Sequence, residues 1–259
     1  MLVTTSYKPS NELAIKAQRI ADQLGGGKYV LRRQFSLPAL RKRYTETEIM
    51  LLTEREIRYY TSTDDSAIFF HPSTAAIRIK RLIRGEVDPL IAFAGISEGD
   101  SVLDCTAGLA SDSIVFAYAV GATGSVVALE SEPTLVMLLQ EGLSCYESPI
   151  AEITEAMRRV KVEHADHYSY LQSLEAKSID YIYFDPMFRT PVVDSSAISP
   201  LREIANMQAI QLETITEAKR VARKKIIMKE LKDSTEFARL GFATTYRSQT
   251  NIAYGVIEL

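Results

Sequence analysis

Cysteine, histidine and long apolar runs are scarce in this chain, and each scarcity excludes something. Two cysteines, Cys105 and Cys145, cannot make a disulfide framework, which points to a reducing cytoplasm. Of three histidines, His164 and His167 form a lone H-x-x-H. That spacing is more often a strand end and helix start than a metal site. No Cys/His cluster has structural-zinc spacing, so no metal is expected. The longest apolar runs, such as Val115 to Val120, are far too short to span a bilayer. Met1 to Ser10 has no basic start followed by a long apolar core, so neither a leader nor a membrane partner is expected. There is no G-x-x-x-x-G-K-[ST] phosphate loop. The missing G-x-G-x-x-G fingerprint weighs against a nicotinamide enzyme.

What is present is ordinary for a globular protein: 259 residues, 46% hydrophobic and 24% charged. The net charge of −3 hides an asymmetry. Residues 1–95 hold 15 Lys+Arg against 10 Asp+Glu, and the remainder holds 15 against 23. Basic clusters stand at Arg41-Lys42-Arg43 and around Arg78, Lys80, Arg81 and Arg84. Such clusters suit a polyanion or a solvated helix face, and the charges alone do not separate the two.

The first 95 residues read as a small α+β unit. Strands are expected near 3–5, 48–52, 56–61 and 67–70. Helices are expected after Ser10, on the periodicity of Leu13, Ala17, Ile20 and Leu24, and from Pro72 to about Arg84. From Gly99 the pattern changes. Strands are expected at 101–105, 125–129, 159–163, 179–184, 224–229, 242–247 and 252–258. Helices fall near 111–120, 132–145, 167–175, 200–222 and 233–240. Near-continuous apolar strands alternating with helices imply a doubly wound α/β sheet, mostly parallel with an antiparallel last strand, over residues 96–259. Ligands of such sheets bind beyond the carboxyl ends of the strands.

The strand ends are where the acids stand. The first leads into Asp104-Cys105-Thr106-Ala107-Gly108-Leu109-Ala110-Ser111-Asp112, a turn of small residues opening a helix. An acid there would repel a diphosphate and suits a ligand with an ammonium group or hydroxyls. The second ends on Glu130-Ser131, about twenty residues on, where nucleotide binders place a carboxylate on ribose. Glu130 could equally start a helix. The third leads to Asp166-His167, where Asp166 could meet an adenine amino group or simply cap a helix. The fourth ends in Asp185-Pro186-Met187-Phe188. Pro186 stiffens the turn, and the carboxylate and carbonyl of Asp185 can accept from an exocyclic amine. Phe188 offers a ring for a base to stack on.

These four ends in this order resemble a class I S-adenosylmethionine-dependent methyltransferase. Asp185-Pro186-Met187-Phe188 is similar to the [DNS]-P-P-[YF] signature of amino methyltransferases. Asp104-x-Thr106-Ala107-Gly108-Leu109-x-x-Asp112, Leu129-Glu130, His164-Ala165 and D-P-M-F together resemble the RsmJ family, which methylates guanine N2 in small-subunit ribosomal RNA. The resemblance covers roughly residues 99–259, including Lys229 after the fifth strand. It implies a Rossmann-like fold and S-adenosylmethionine as cofactor. Asp104, Thr106, Gly108, Ser111, Asp112, Glu130, Ser131, Asp166, His167 and Asp185 would line the cofactor. Asp185, Pro186 and Phe188 would be catalytic. Substrate contacts are expected from Arg189 and Lys229, and from Arg41, Lys42, Arg43, Lys80 and Arg81. The expected partner is small-subunit rRNA or a ribosomal particle.

The chain departs from the family in two places. Ala110 replaces a glycine, and the run after D-P-M-F, Arg189 to Asp194, has fewer charges. The alternatives weighed against RNA methylation are a protein side chain or small-molecule amine as methyl acceptor, and a non-catalytic module that binds cofactor or RNA.

Overall fold

The computed structural model describes residues 1–61, 66–187, 201, 204, 206–247 and 251–259. They fall into two compact units. One holds Met1–His71 and Pro133–Tyr146. The other holds Pro72–Glu132, the described part of Glu147–Val193, and Asn206–Leu259.

The first unit is α+β. Its strands are β1 (Leu2–Thr5), β2 (Lys28–Tyr29), β3 (Ile49–Leu52), β4 (Ile57–Tyr60) and β5 (Ile68–Phe69), in the order β2-β1-β3-β4-β5. β1 and β3 are buried along their whole length; β3 is apolar throughout, and β1 buries Thr4 by donating its hydroxyl to the Val30 carbonyl at 2.8 Å. Helix α1 (Asn11–Gln23) begins where the Ser10 hydroxyl accepts from Leu13 N, and it buries Leu13, Ala17, Ile20 and Ala21 on one face. Helices α2 (Leu37–Tyr44) and α6 (Pro133–Cys145) complete the unit.

The second unit carries helices α3 (Ser73–Ile83) and α4 (Pro89–Ala94), then a seven-stranded sheet. Its strands are β6 (Ser101–Asp104), β7 (Ser125–Glu130), β8 (Val160–His164), β9 (Ile179–Phe184), β10 (Ala222–Leu231), β11 (Thr244–Arg247) and β12 (Ile252–Glu258). The order is β11-β12-β10-β9-β6-β7-β8, with β12 antiparallel to both neighbours. Counted within this unit, that is 3-2-1-4-5-7-6, and the direction of winding reverses between β6 and β9. Helices α5 (Ser111–Val120), α7 (Ala151–Arg159), α8 (His167–Ser173), α9 (Leu212–Val221) and α10 (Glu236–Leu240) connect the strands. Leu103, Ile182, Phe184, Ile226 and Met228 pack with Ile215, Ala218 and Phe237 in one core cluster. Among the described residues, no helix is long and apolar enough to cross a membrane.

Several elements differ from expectation. The helix expected over 200–222 starts at Leu212, and residues 206–211 are not helical. Three short helices, α2, α4 and α7, were not anticipated. For α4 the signals are local: Asp88 caps Leu90 N and Ile91 N, Pro89 stands at the first turn, and Gly95 ends the helix at φ +76°.

Candidate active site

The reversal point of the sheet gathers the strand-end acids. Asp104, 1% exposed at the tip of β6, accepts from Thr106 N at 3.0 Å and from the Ser113 hydroxyl at 2.5 Å. Burial pushes its carboxyl up to about 7, against those two bonds. Asp104 therefore braces the loop from inside and does not face a ligand directly. The Thr106 hydroxyl accepts from Asp185 N at 2.5 Å, which ties the first strand end to the fourth.

Beyond Thr106 the loop turns at Gly108, φ +54°, where a Cβ would meet only open space. The Gly108 N–H donates to Glu130 at 3.1 Å, and Glu132 N donates to the other oxygen at 2.9 Å. Burial raises the Glu130 carboxyl while these backbone bonds oppose it. The Ser131 N–H bonds the carboxylate as well, which leaves lone-pair capacity on it for one further donor. Ser111 opens α5, and its hydroxyl is buried without a hydrogen-bond partner. Open space over a glycine, spare carboxylate lone pairs and an orphaned hydroxyl together fit a hydroxyl-rich, positively charged ligand such as S-adenosylmethionine.

The third strand end is plainer. Asp166 caps α8 by accepting from Ser169 N at 2.9 Å. Burial alone would raise this carboxyl, but the Ser169 bonds hold it below its usual range. The cap role is thus present whatever else Asp166 does. His167 is lowered by burial, and its ring meets Phe184 edge-on at 6.0 Å. The Ser131 carbonyl accepts from His164 Nε2 at 3.1 Å.

On the other side of the reversal point the acids are held by cations. Lys229 Nζ lies 2.7 Å from Asp185 Oδ2 and 3.0 Å from Asp112 Oδ2. Asp112 also accepts from the Tyr183 hydroxyl at 2.7 Å and from Arg78. Arg78 in turn grips Asp88 with two bonds, at 2.7 and 2.9 Å. The charges alternate from Asp88 through Arg78, Asp112 and Lys229 to Asp185. Burial works against each charge. Lys229 and Arg78 nonetheless hold the Asp112 carboxyl far below its usual range, and the acids raise both cations. Burial wins at Asp185, whose carboxyl is raised despite Lys229. Breaking such a buried chain costs about 3–5 kcal/mol, because it strands an unpaired charge.

Sequence reasoning missed Arg78 and Asp88 as members of this chain. Arg78 counted as one of a surface basic cluster, yet it stands between Ala75 and Ile79 on the buried face of α3. An arginine at a core-facing helical position was the available signal. Tyr183, two residues before Asp185 on the same strand face, was also missed.

The expected substrate contacts divide. Lys229 is engaged by two carboxylates, so it acts on Asp185 and is not an unpaired cation. Arg41 is not a loose surface charge either: its Nη2 donates to the Thr61 carbonyl at 2.7 Å. Arg43 lies over the Phe35 ring, 5.2 Å from its centroid, and Arg81 pairs with Glu86 at 2.7 Å. Lys42 and Lys80 are exposed. Phe188 and Arg189 lie outside the described residues. Among the described residues, no group of three His, Cys, Asp or Glu could hold a metal.

The 3-2-1-4-5-7-6 sheet, with acids gathered at its reversal point and the sequence D-P-M-F following its fourth strand, defines a class I S-adenosylmethionine-dependent methyltransferase. The chain belongs to the family described as "Putative SAM-dependent methyltransferase", which it matches over residues 31–248. Its cofactor is S-adenosylmethionine. It is 38% identical over 257 residues, 99% of both chains, to the uncharacterized protein YpiP of Bacillus subtilis. Ribosomal RNA small subunit methyltransferase J of Acinetobacter baumannii is 35% identical over 121 residues, 45% of this chain and 42% of that enzyme. The enzyme of the same name from Shewanella baltica is 33% identical over 60% of this chain and 64% of its own. The chain thus spans only part of these two enzymes. A SAM-dependent methyltransferase structure from Neisseria gonorrhoeae shares the fold over 100% of this chain and 96% of its own, at TM-score 0.65 and 15% identity.

Proposed function

We propose that the protein transfers a methyl group to an exocyclic amino group of RNA, guanine N2 in small-subunit rRNA. The observation that carries this is the Asp185-Pro186 turn, whose carboxylate is fixed by Lys229 beside the cofactor loop. The likeness to the small-subunit methyltransferases supports the choice of RNA.

When bound, S-adenosylmethionine would supply an activated methyl group on a positively charged sulfur, with a neutral thioether as leaving group. The chain's own residues supply position and charge. Glu130 holds the ribose hydroxyls, and the turn at Gly108 lets the backbone approach. Ser111 and Asp166-His167 complete the cofactor's surroundings. Lys229 engages Asp185 Oδ2, which leaves Oδ1 and the backbone carbonyl as acceptors for the two N–H bonds of the amine. Both then stabilise the charge that grows on nitrogen, and Oδ1 can take the departing proton. Pro186 keeps the carbonyl outward. Lys42, Arg43 and Lys80 remain available to phosphates. This role places the enzyme with ribosomes in the cytoplasm.

The test is to incubate the purified protein with methyl-labelled S-adenosylmethionine and small ribosomal subunits from a strain lacking the gene. Label in the RNA, mapped to one guanine, is the expected result. Label lost on protease treatment, or found in small amines, would overturn the RNA assignment and leave the enzyme class standing.

A further inference from the structure

Asp185 heads a row of side chains that runs across four strands. Parallel register sets Met228 opposite Phe184, which brings Lys229 level with Asp185. Lys229 is paired with Tyr254 across the antiparallel β10–β12 ladder, and Tyr254 with Tyr246 across β12–β11. Residues opposite one another in register present their side chains to the same face. An acid, a cation and two tyrosines therefore share one level of one face.

The rings extend further. Tyr246 and Tyr254 stack at 6.4 Å between centroids and 21° between planes. Phe93 of α4 lies 5.5 Å from Tyr246, tilted by 34°. Tyr246 stands on the edge strand and is 39% exposed, while Tyr254 and Phe93 are half-buried. Burial and the Asp112 charge push the Tyr254 hydroxyl up to about 12, so it stays neutral. With strands about 4.8 Å apart, Tyr246 lies three strands, about 14 Å, from Asp185. The cofactor acids stand on β6 and β7, so the aromatic row runs away from them.

Core filling alone does not call for an exposed flat ring at a sheet edge, level with the acid that meets the amine. From the register of this row, and resting on the RNA-methylating reading of Asp185, we infer that Phe93, Tyr246 and Tyr254 are a stacking surface for nucleobases of unpaired RNA. Asp185 would meet the amine of the target base at one end, and a flanking base would lie on the exposed Tyr246 ring at the other. Stacking on aromatic faces is tolerant of base identity, so the surface would hold the strand without choosing its sequence.

The experiment compares wild type, Tyr246→Phe and Tyr246→Leu in the full chain, with S-adenosylhomocysteine present and its affinity measured as a check on folding. The probes are a short unstructured guanosine-containing oligoribonucleotide and, as a polyanion without bases, inorganic polyphosphate. Tyr246→Leu should weaken oligoribonucleotide binding by about tenfold and leave polyphosphate binding unchanged. Tyr246→Phe, which keeps the ring, should stay within about twofold of wild type. Equal binding by all three proteins, or equal loss of both probes, would overturn the stacking surface. Methyl label in RNA from wild type alongside undiminished binding by Tyr246→Leu would sink this inference alone. Label that reaches only protein or small amines would sink the RNA reading itself.

Discussion

The two halves of the seven-stranded sheet hold their acids in opposite ways. At the ends of β6 and β7, and before α8, Asp104, Glu130 and Asp166 accept hydrogen bonds from backbone N–H groups and a hydroxyl. At the ends of β9 and β10, Asp185 and the neighbouring Asp112 are held by Lys229 and Arg78. Neutral donors fix a carboxylate in place without balancing its charge: Asp104 is spent bracing its loop, while Glu130 keeps lone-pair capacity for a ligand. Ion pairs fix position and balance the charge at once. The first half is built to receive a ligand rich in hydroxyls and positive charge. The second half is built to keep one carboxylate aimed while the net charge around it stays near zero.

If that contrast is right, the two halves should fail differently. The largest expected effect is Lys229→Met, which leaves Asp112 and Asp185 without their shared cation. It should cost about 3–5 kcal/mol in denaturant unfolding. A loss below about 1 kcal/mol, the range of a surface pair, would mean the ion-pair chain does not hold the transfer half together.

A smaller effect of opposite character is expected at Asp104. Its carboxyl binds a proton more tightly in the folded chain than in the unfolded one. Its contribution to stability is therefore full below about pH 4 and is lost as pH rises to about 7. Asp112, held low, contributes in the other sense and is lost as pH falls, so the comparison must be made between proteins. Asp104→Asn can still accept from Thr106 N, can donate its amide N–H to the Ser113 hydroxyl oxygen, and cannot ionise. Its stability relative to wild type should rise across that window by at most about 1.4 kcal/mol per pH unit. A constant difference would show that Asp104 is ionised throughout.

The smallest effect is expected at Ala110, buried and at φ +58° ahead of α5. An L-residue is strained in that conformation, so Ala110→Gly should stabilise the chain by about 0.5–1 kcal/mol in thermal unfolding. A destabilised variant would place the value of this residue in its methyl group and not in its backbone.

These differences also mark what the sequence could tell. The central parallel strands were legible because doubly covered strands carry short unbroken apolar runs such as Tyr181 to Phe184. Acids at strand tips were legible because part of the turn chemistry around them is local: Thr106 N bonds Asp104 and Glu132 N bonds Glu130, each two residues away, whereas the Gly108 bond to Glu130 spans 22 residues. The ion-pair chain was not. Arg78 lies 34 residues from Asp112, and Lys229 lies 117 beyond it, so nothing in the spacing joins them. Periodicity put Arg78 on a helix but did not ask what its buried face meets. The helix expected over 200–222 ran too long because residues 206–211 carry no strong stop signal.

The most direct test of the account sets Asp185→Asn beside Glu130→Gln and measures cofactor affinity and single-turnover methyl transfer in each. Asp185→Asn should bind S-adenosylmethionine within about fivefold of wild type and transfer about a thousandfold more slowly. Glu130→Gln should lose about tenfold to a hundredfold in cofactor affinity and regain most of its transfer rate at saturation. If both variants lose affinity and rate in the same proportion, the two halves of the sheet are not separable and the division of labour drawn from their acids is wrong.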